Sequence, residues 1–132
     1  LQIVAKLKDN NIQAFVIGKE KNLKYYEQLS KDFKVDKRVI FTGPRQDVDD
    51  FYTISDVFLF TTRYEPFSNV VLEAMSLENA VFTTKQNGAH EILEDEYIMS
   101  NSRDFSVVGK IDALLEDVEA LNAIKQVNNL KA

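Results

Sequence analysis

Short apolar runs alternate with segments of helical period along the whole chain. IQAFVIG (residues 12–18), RVIFTG (38–43), VFLFTT (57–62) and AVFTT (80–84) are rich in β-branched and aromatic residues, and each is bounded by glycine, proline or a polar turn. These read as strands. YIMS (97–100) is a weaker fifth. Between them, Leu23, Tyr26, Leu29 and Phe33 recur at helical spacing within 22–33, and LQIVAKLKDN at the start reads as the second half of an amphipathic helix. Asp47 is placed to cap a short helix through about Ser55, with Val48, Phe51 and Ile54 on one face. VVLEAMSL, inside a helix over 69–77, is apolar on nearly every side, so a buried helix is expected there. A short helix follows over 89–93. Ser102 or Asp104 can cap the next, over 105–115, and a last helix takes about 118–131.

Strands of this length alternating with helices predict an α/β fold, a doubly wound, Rossmann-like parallel sheet of about five strands with helices on both faces. The 132 residues fit a single domain. In such sheets ligands sit beyond the carboxyl ends of the strands, which directs attention to the loops after Gly18, Gly43, Thr62 and Thr84.

The loop after the third strand carries the candidate chemistry. Residues 61–75, TTRYEPFSNVVLEAM, place Glu65 before a turn and Glu73 within the following helix. A glutamate in a buried helix needs hydroxyl or N–H partners to offset desolvation. The backbone N–H groups of Phe67, Ser68, Asn69 and Val70 span the helix start, where unpaired donors and the positive dipole end favour an anion such as phosphate. A carboxylate accepts two hydrogen bonds side by side, which suits vicinal sugar hydroxyls. Two carboxylates around an anion site thus suggest a nucleotide sugar. As a bare pair the spacing means little in a chain with 21 acidic residues; the strand before, the apolar helix after and the Ser-Asn turn between them give it weight.

Composition narrows the classes further. A net charge of −5 and a pI near 4.9 argue against a nucleic-acid-binding surface. With no cysteine and one histidine, a thiolate or histidine-based metal site is excluded, and no metal is expected. No apolar run reaches the roughly 18 residues of a membrane span, so a soluble domain is expected. The chain begins at Leu1, part-way into a helix, and is expected to be a piece of a longer protein.

The stretch EPFSNVVLEAM, with a glutamate, seven residues, a second glutamate and Ala-Met, resembles the signature of retaining glycosyltransferases of the GT-B fold, in particular glycosyltransferase family 4. VIG, RVIFTG, Asp56 before VFLFTT, and NGAHEIL fall in the corresponding order, and the resemblance is to the C-terminal, donor-binding half. It implies that Glu65, the candidate catalytic residue, contacts hydroxyls of the donor sugar, Glu73 the ribose, and the 67–70 amides the diphosphate. Gly43, Pro44 and Arg45 would face the base. The substrate would be a nucleotide-diphosphate sugar such as a UDP-, GDP- or ADP-sugar, with no cofactor and no metal. The implied reaction is a front-face transfer to an acceptor hydroxyl in polysaccharide, glycolipid or glycoprotein assembly. An N-terminal acceptor-binding domain would be the missing partner, and the location cytoplasmic, at or near the cytoplasmic face of a membrane.

Several positions depart from that pattern. Ser68 stands where the family usually has glycine, Glu78-Asn79-Ala80 where it has Gly-x-Pro, and Asn87-Gly88 where it has a double glycine. The family's basic pair would precede Leu1, leaving Arg63 and Lys85 as the candidate phosphate cations. The first strand of that half would also precede Leu1, leaving a gap or a changed edge in the sheet. These departures keep two alternatives open, a degenerate interaction domain without catalysis and a GT-B-related sugar-nucleotide epimerase. His90 reads as a capping or surface residue, Glu91 as a loop-orienting one, and the lysines between Lys19 and Arg38, nearly cancelled by interleaved acids, as a solvated face rather than a membrane-binding one.

Overall fold

A computed structural model describes residues 1–61, 69–86, 88–101 and 104–132. The chain divides into two compact units, residues 1–48 and 49–132. Among the described residues all strand pairings are parallel, and they form two sets, a pair in the first unit and a triple in the second, where the sequence suggested one sheet.

In the first unit, α1 (Gln2–Lys6) leads to β1 (Ala14–Ile17), α2 (Leu23–Asp32) and β2 (Val39–Gly43). β1 pairs with β2 from Ala14↔Val39 to Ile17↔Gly43, with an irregularity at Val16/Ile17. Ile3, Leu7, Val35 and Val39 form its buried apolar set. The face of α2 expected to pack does so only in part: Leu23 is exposed and Tyr26, Leu29 and Phe33 are half-buried. The helix ends in a Schellman turn, in which Lys34, at φ 59°, donates to the Lys31 carbonyl and Val35 to the Ser30 carbonyl. Val35, fully buried, stands just beyond it, where an apolar residue usually accompanies this turn.

The second unit contains α3 (Val48–Ile54), apart from its first residue, then β3 (Val57–Phe60), α4 (Asn69–Ser76), β4 (Ala80–Thr84) and β5 (Ile98–Met99). α5 (Val107–Glu116) and α6 (Val118–Lys131) complete it. Two short 3-10 helices, Gly88–Ile92 and Asp95–Tyr97, precede β5, the first where a short helix was expected. The strand order is β3-β4-β5. Every residue of β4 is buried, so both of its faces are covered. Val71, Ala74 and Met75 of α4 and Val81 and Phe82 of β4 form the centre of the core, all with no exposed surface.

α3 departs from its expected face. Tyr52 is buried and Ile54 is 69% exposed, because the Tyr52 ring meets Phe58 of β3 edge-on at 5.6 Å while Ile54 closes the helix. At the other end of the unit, the Asp117 carboxylate accepts from the Ala120 N–H and caps α6, a signal present in the sequence and overlooked. No helix among the described residues is long and apolar enough to cross a membrane.

Asp104, an expected cap of α5, ties the turn before it. Its carboxylate accepts from the Ser100 N–H at 2.8 Å and the Ser106 N–H at 2.9 Å, and these donors hold its pKa down to about 2. Ser102, the other expected cap, lies outside the described residues. Because the folded value lies below the usual 3.8, the stabilisation is complete above about pH 4 and is lost as pH falls through 2. Denaturant unfolding across this range should show Asp104→Asn less stable than wild type at pH 6, with the two converging near pH 2.

Candidate functional site

α4 returns the chain from the carboxyl end of β3 to the amino end of the parallel β4, so its first turn lies at the carboxyl end of the sheet. Its burial is one-sided. Val71, Ala74 and Met75 face the core, while Asn69, Glu73 and Ser76, at intervals of four and three residues, form an exposed face. The expectation of a helix buried all round with an internal glutamate is therefore corrected: Glu73 is exposed and meets no desolvation cost in the free protein. Its charge is still felt beneath the helix. The buried Tyr52 phenol is pushed up in pKa, first by burial and then by the Glu73 and Asp49 carboxylates.

The C-terminal end of α4 is closed with unusual completeness. Leu77 N–H and the Ser76 hydroxyl donate to the Glu73 carbonyl at 3.1 and 2.8 Å. Glu78 N–H donates to Met75 O and Asn79 N–H to Ala74 O, the two bonds of a Schellman turn, with Glu78 in the left-handed conformation at φ 62°. Glu78 thus adopts the backbone that a glycine would favour, and its departure from the family pattern leaves the turn intact. Left-handed backbone costs a β-carbon residue about 1–2 kcal/mol, partly offset by the greater freedom of glycine in the unfolded chain. Glu78→Gly should accordingly raise stability by about 0.5–1 kcal/mol, seen as a higher midpoint in thermal unfolding.

Asn79, fully buried, shares the two hydrogens of Nδ2 among three carbonyls, Tyr52 O at 2.9 Å and Ala74 O and Leu77 O at 3.2 Å. α6 reaches the same place. Asn128 Nδ2 donates to Asn79 O at 2.9 Å and Asn129 Nδ2 to Ser76 O at 2.7 Å, while Lys125 pairs with Asp56, just before β3, at 2.6 Å.

The other sequence-derived candidates divide between the units. Asn69, Val70 and Glu73 share α4, and the exposed Lys85 follows β4 at the same end of its sheet. Arg63, Glu65, Phe67 and Ser68 lie outside the described residues. Gly43, Pro44 and Arg45 belong to the first unit. Gly43 closes β2 at φ 72°, and a β-carbon built there would meet nothing within 4 Å, so conformation rather than space requires glycine. Arg45 is held by Asp47 through two parallel bonds of 2.8 and 2.7 Å, which raise the guanidinium pKa and lower that of the carboxylate. Among the described residues no group of three or more His, Asp or Glu is placed to hold a metal ion.

Residues 1–129 match the family described as Glycosyl transferases group 1. The chain is 29% identical over 114 residues to the capsular polysaccharide biosynthesis glycosyltransferase CapM of Staphylococcus aureus, covering 83% of this chain and 30% of that protein. It is 27% identical over 95 residues to the lipopolysaccharide core biosynthesis glycosyltransferase LpsE of Rhizobium meliloti, covering 72% and 27%. The chain therefore spans less than a third of the length of these relatives. Among solved structures, Anabaena HepE in complex with UDP superposes with a TM-score of 0.89 at 22% identity, covering 98% of this chain and 38% of that one. The C-terminal domain of a glycosyl transferase group 1 family protein (LpcC) from Francisella tularensis gives 0.85 at 27%, covering 98% and 72%. The structural likenesses place the α/β fold with the GT-B glycosyltransferases.

Proposed function

The chain belongs to the family of glycosyl transferases group 1, and from that membership we propose that it is the donor-binding domain of a retaining enzyme that transfers sugar from a nucleotide diphosphate to an acceptor hydroxyl. The observation that carries this reading is the exposed face of α4. It presents Asn69 and Glu73 at the carboxyl end of a parallel sheet, on the helix that follows Glu65 in the sequence. Glu73 accepts the ribose hydroxyls, and the N–H groups from Phe67 to Val70 hold the diphosphate. Glu65 addresses the donor sugar. For the base, the candidates in the first unit are Gly43, Pro44 and Arg45, whose guanidinium is paired with Asp47.

Charge that develops on the departing diphosphate is met by the start of α4, with Arg63 and Lys85 as the cations this chain can supply. No metal is required in this reading. The leaving phosphate oxygen takes the acceptor proton as the sugar gains oxocarbenium character, so the transfer needs no protein nucleophile. The polysaccharide and lipopolysaccharide roles of CapM and LpsE suggest an acceptor of that class, and HepE with UDP suggests uracil as the first base to test. The acceptor would be held by a separate domain, and the enzyme would work at the cytoplasmic face of a membrane.

Titration of the protein with UDP, GDP and ADP, followed by amide chemical shifts, tests this. Saturable shifts at residues 69–73 are expected. Absence of binding at millimolar concentration for all three would overturn it.

A further inference from the structure

We propose that Asn79, Asn128 and Asn129 are positioning residues for Glu73, an inference that rests on the ribose role given to that glutamate above. α4 has eight residues, about 12 Å of helix, so a shift of its last turn moves Glu73 with it. Each carbonyl from residue 73 to 77 has a donor. Ser76 O receives Asn129 from α6, although both residues are exposed and water could serve that carbonyl. A cap needs no partner from 53 residues away; a fixed placement does.

α6 uses one face for the purpose. Asn128 and Asn129 lie three and four residues after Lys125, and the three grip Asp56 just before β3, Asn79 just before β4 and Ser76 at the end of α4. Asn69, Val70 and Glu73 lie between the first and last of these anchors in the chain. Asn79 then ties α4 to the Tyr52 carbonyl of α3, whose phenol feels the Glu73 charge. The Oδ1 atoms of Asn79 and Asn128 are buried without a hydrogen-bond partner among the described residues, so both side chains act through their donor amides.

Asn129→Ala removes one exposed anchor and leaves the buried pair in place. UDP affinity is measured in wild type, Asn129→Ala, Glu73→Gln and the double variant, with amide hydrogen exchange recorded without ligand. Asn129→Ala should weaken UDP about threefold in the wild-type background and leave it nearly unchanged beside Glu73→Gln, the non-additivity of coupled residues. Exchange at residues 76 and 77 should rise while β4 stays protected. Equal losses in both backgrounds, no loss in either, or unchanged exchange would overturn the positioning role. Failure of the wild type to bind any of UDP, GDP and ADP would instead overturn the functional reading, with the exchange measurement still deciding whether α6 holds α4.

Discussion

Glu73→Gln is expected to weaken UDP binding about 10- to 100-fold while leaving the unfolding midpoint nearly unchanged. Glu73 is exposed, so its loss removes no buried contact, and glutamine keeps the shape and helix propensity. The effect falls on the ligand. A carboxylate that accepts hydroxyl bonds contributes about 1.5–3 kcal/mol more than no partner, which converts to that range of affinity. Glutamine also withdraws one of the charges that raise the Tyr52 pKa. Tyr52 should then titrate lower than in wild type, though burial, its main cause, keeps it above the usual value. Isothermal calorimetry gives the affinity and ultraviolet titration the phenol.

The largest effect on stability belongs to a residue with no direct role in the chemistry. Asn79→Ala should destabilise the fold by about 3 kcal/mol, read from the shift in urea midpoint. The two Nδ2 hydrogens shared among three carbonyls are lost, and Leu77 O loses its Asn79 donor while Tyr52 O keeps only the Ser55 N–H, in a region with no room for solvent at position 79. Ala74 O keeps the bond from the residue's own N–H. A total stability of only about 5–15 kcal/mol is usual for a domain, so this is a substantial part of it. A change under 1 kcal/mol would show that the cluster stabilises little.

Much of the fold was legible because several segments have only one structural reading. AVFTT is observed as the strand Ala80–Thr84, bounded as expected, since a run of apolar and β-branched residues between a turn and KQNG fits a strand. α6 likewise follows its pattern from Val118 to Lys131. Faces were harder than spans. In VVLEAMSL nearly every residue is apolar, so composition suggested burial all round, whereas the helix turns Glu73 outward with Asn69 and Ser76. In α3, three-residue spacing favoured Ile54, but a seven-residue helix lets the Phe58 ring select Tyr52 instead. The asparagine cluster was not legible at all. Its partners lie 27 to 53 residues apart, and an asparagine shows no sign in sequence of which distant carbonyl it serves. For the site, the sequence supplied the residue types and their order, and the family match gave them a context. The structure added the exposed face on α4 and the paired Arg45.

The central claim is that Glu73 holds the ribose of a nucleotide diphosphate, and removing the hydroxyls from the ligand tests it most directly. UDP and 2′,3′-dideoxy-UDP are titrated into wild-type protein and Glu73→Gln. Wild type should prefer UDP by about tenfold or more, and the variant should bind both with similar, weaker affinity. Equal affinity for the two nucleotides in wild type, or a preference that persists undiminished in Glu73→Gln, would contradict the account.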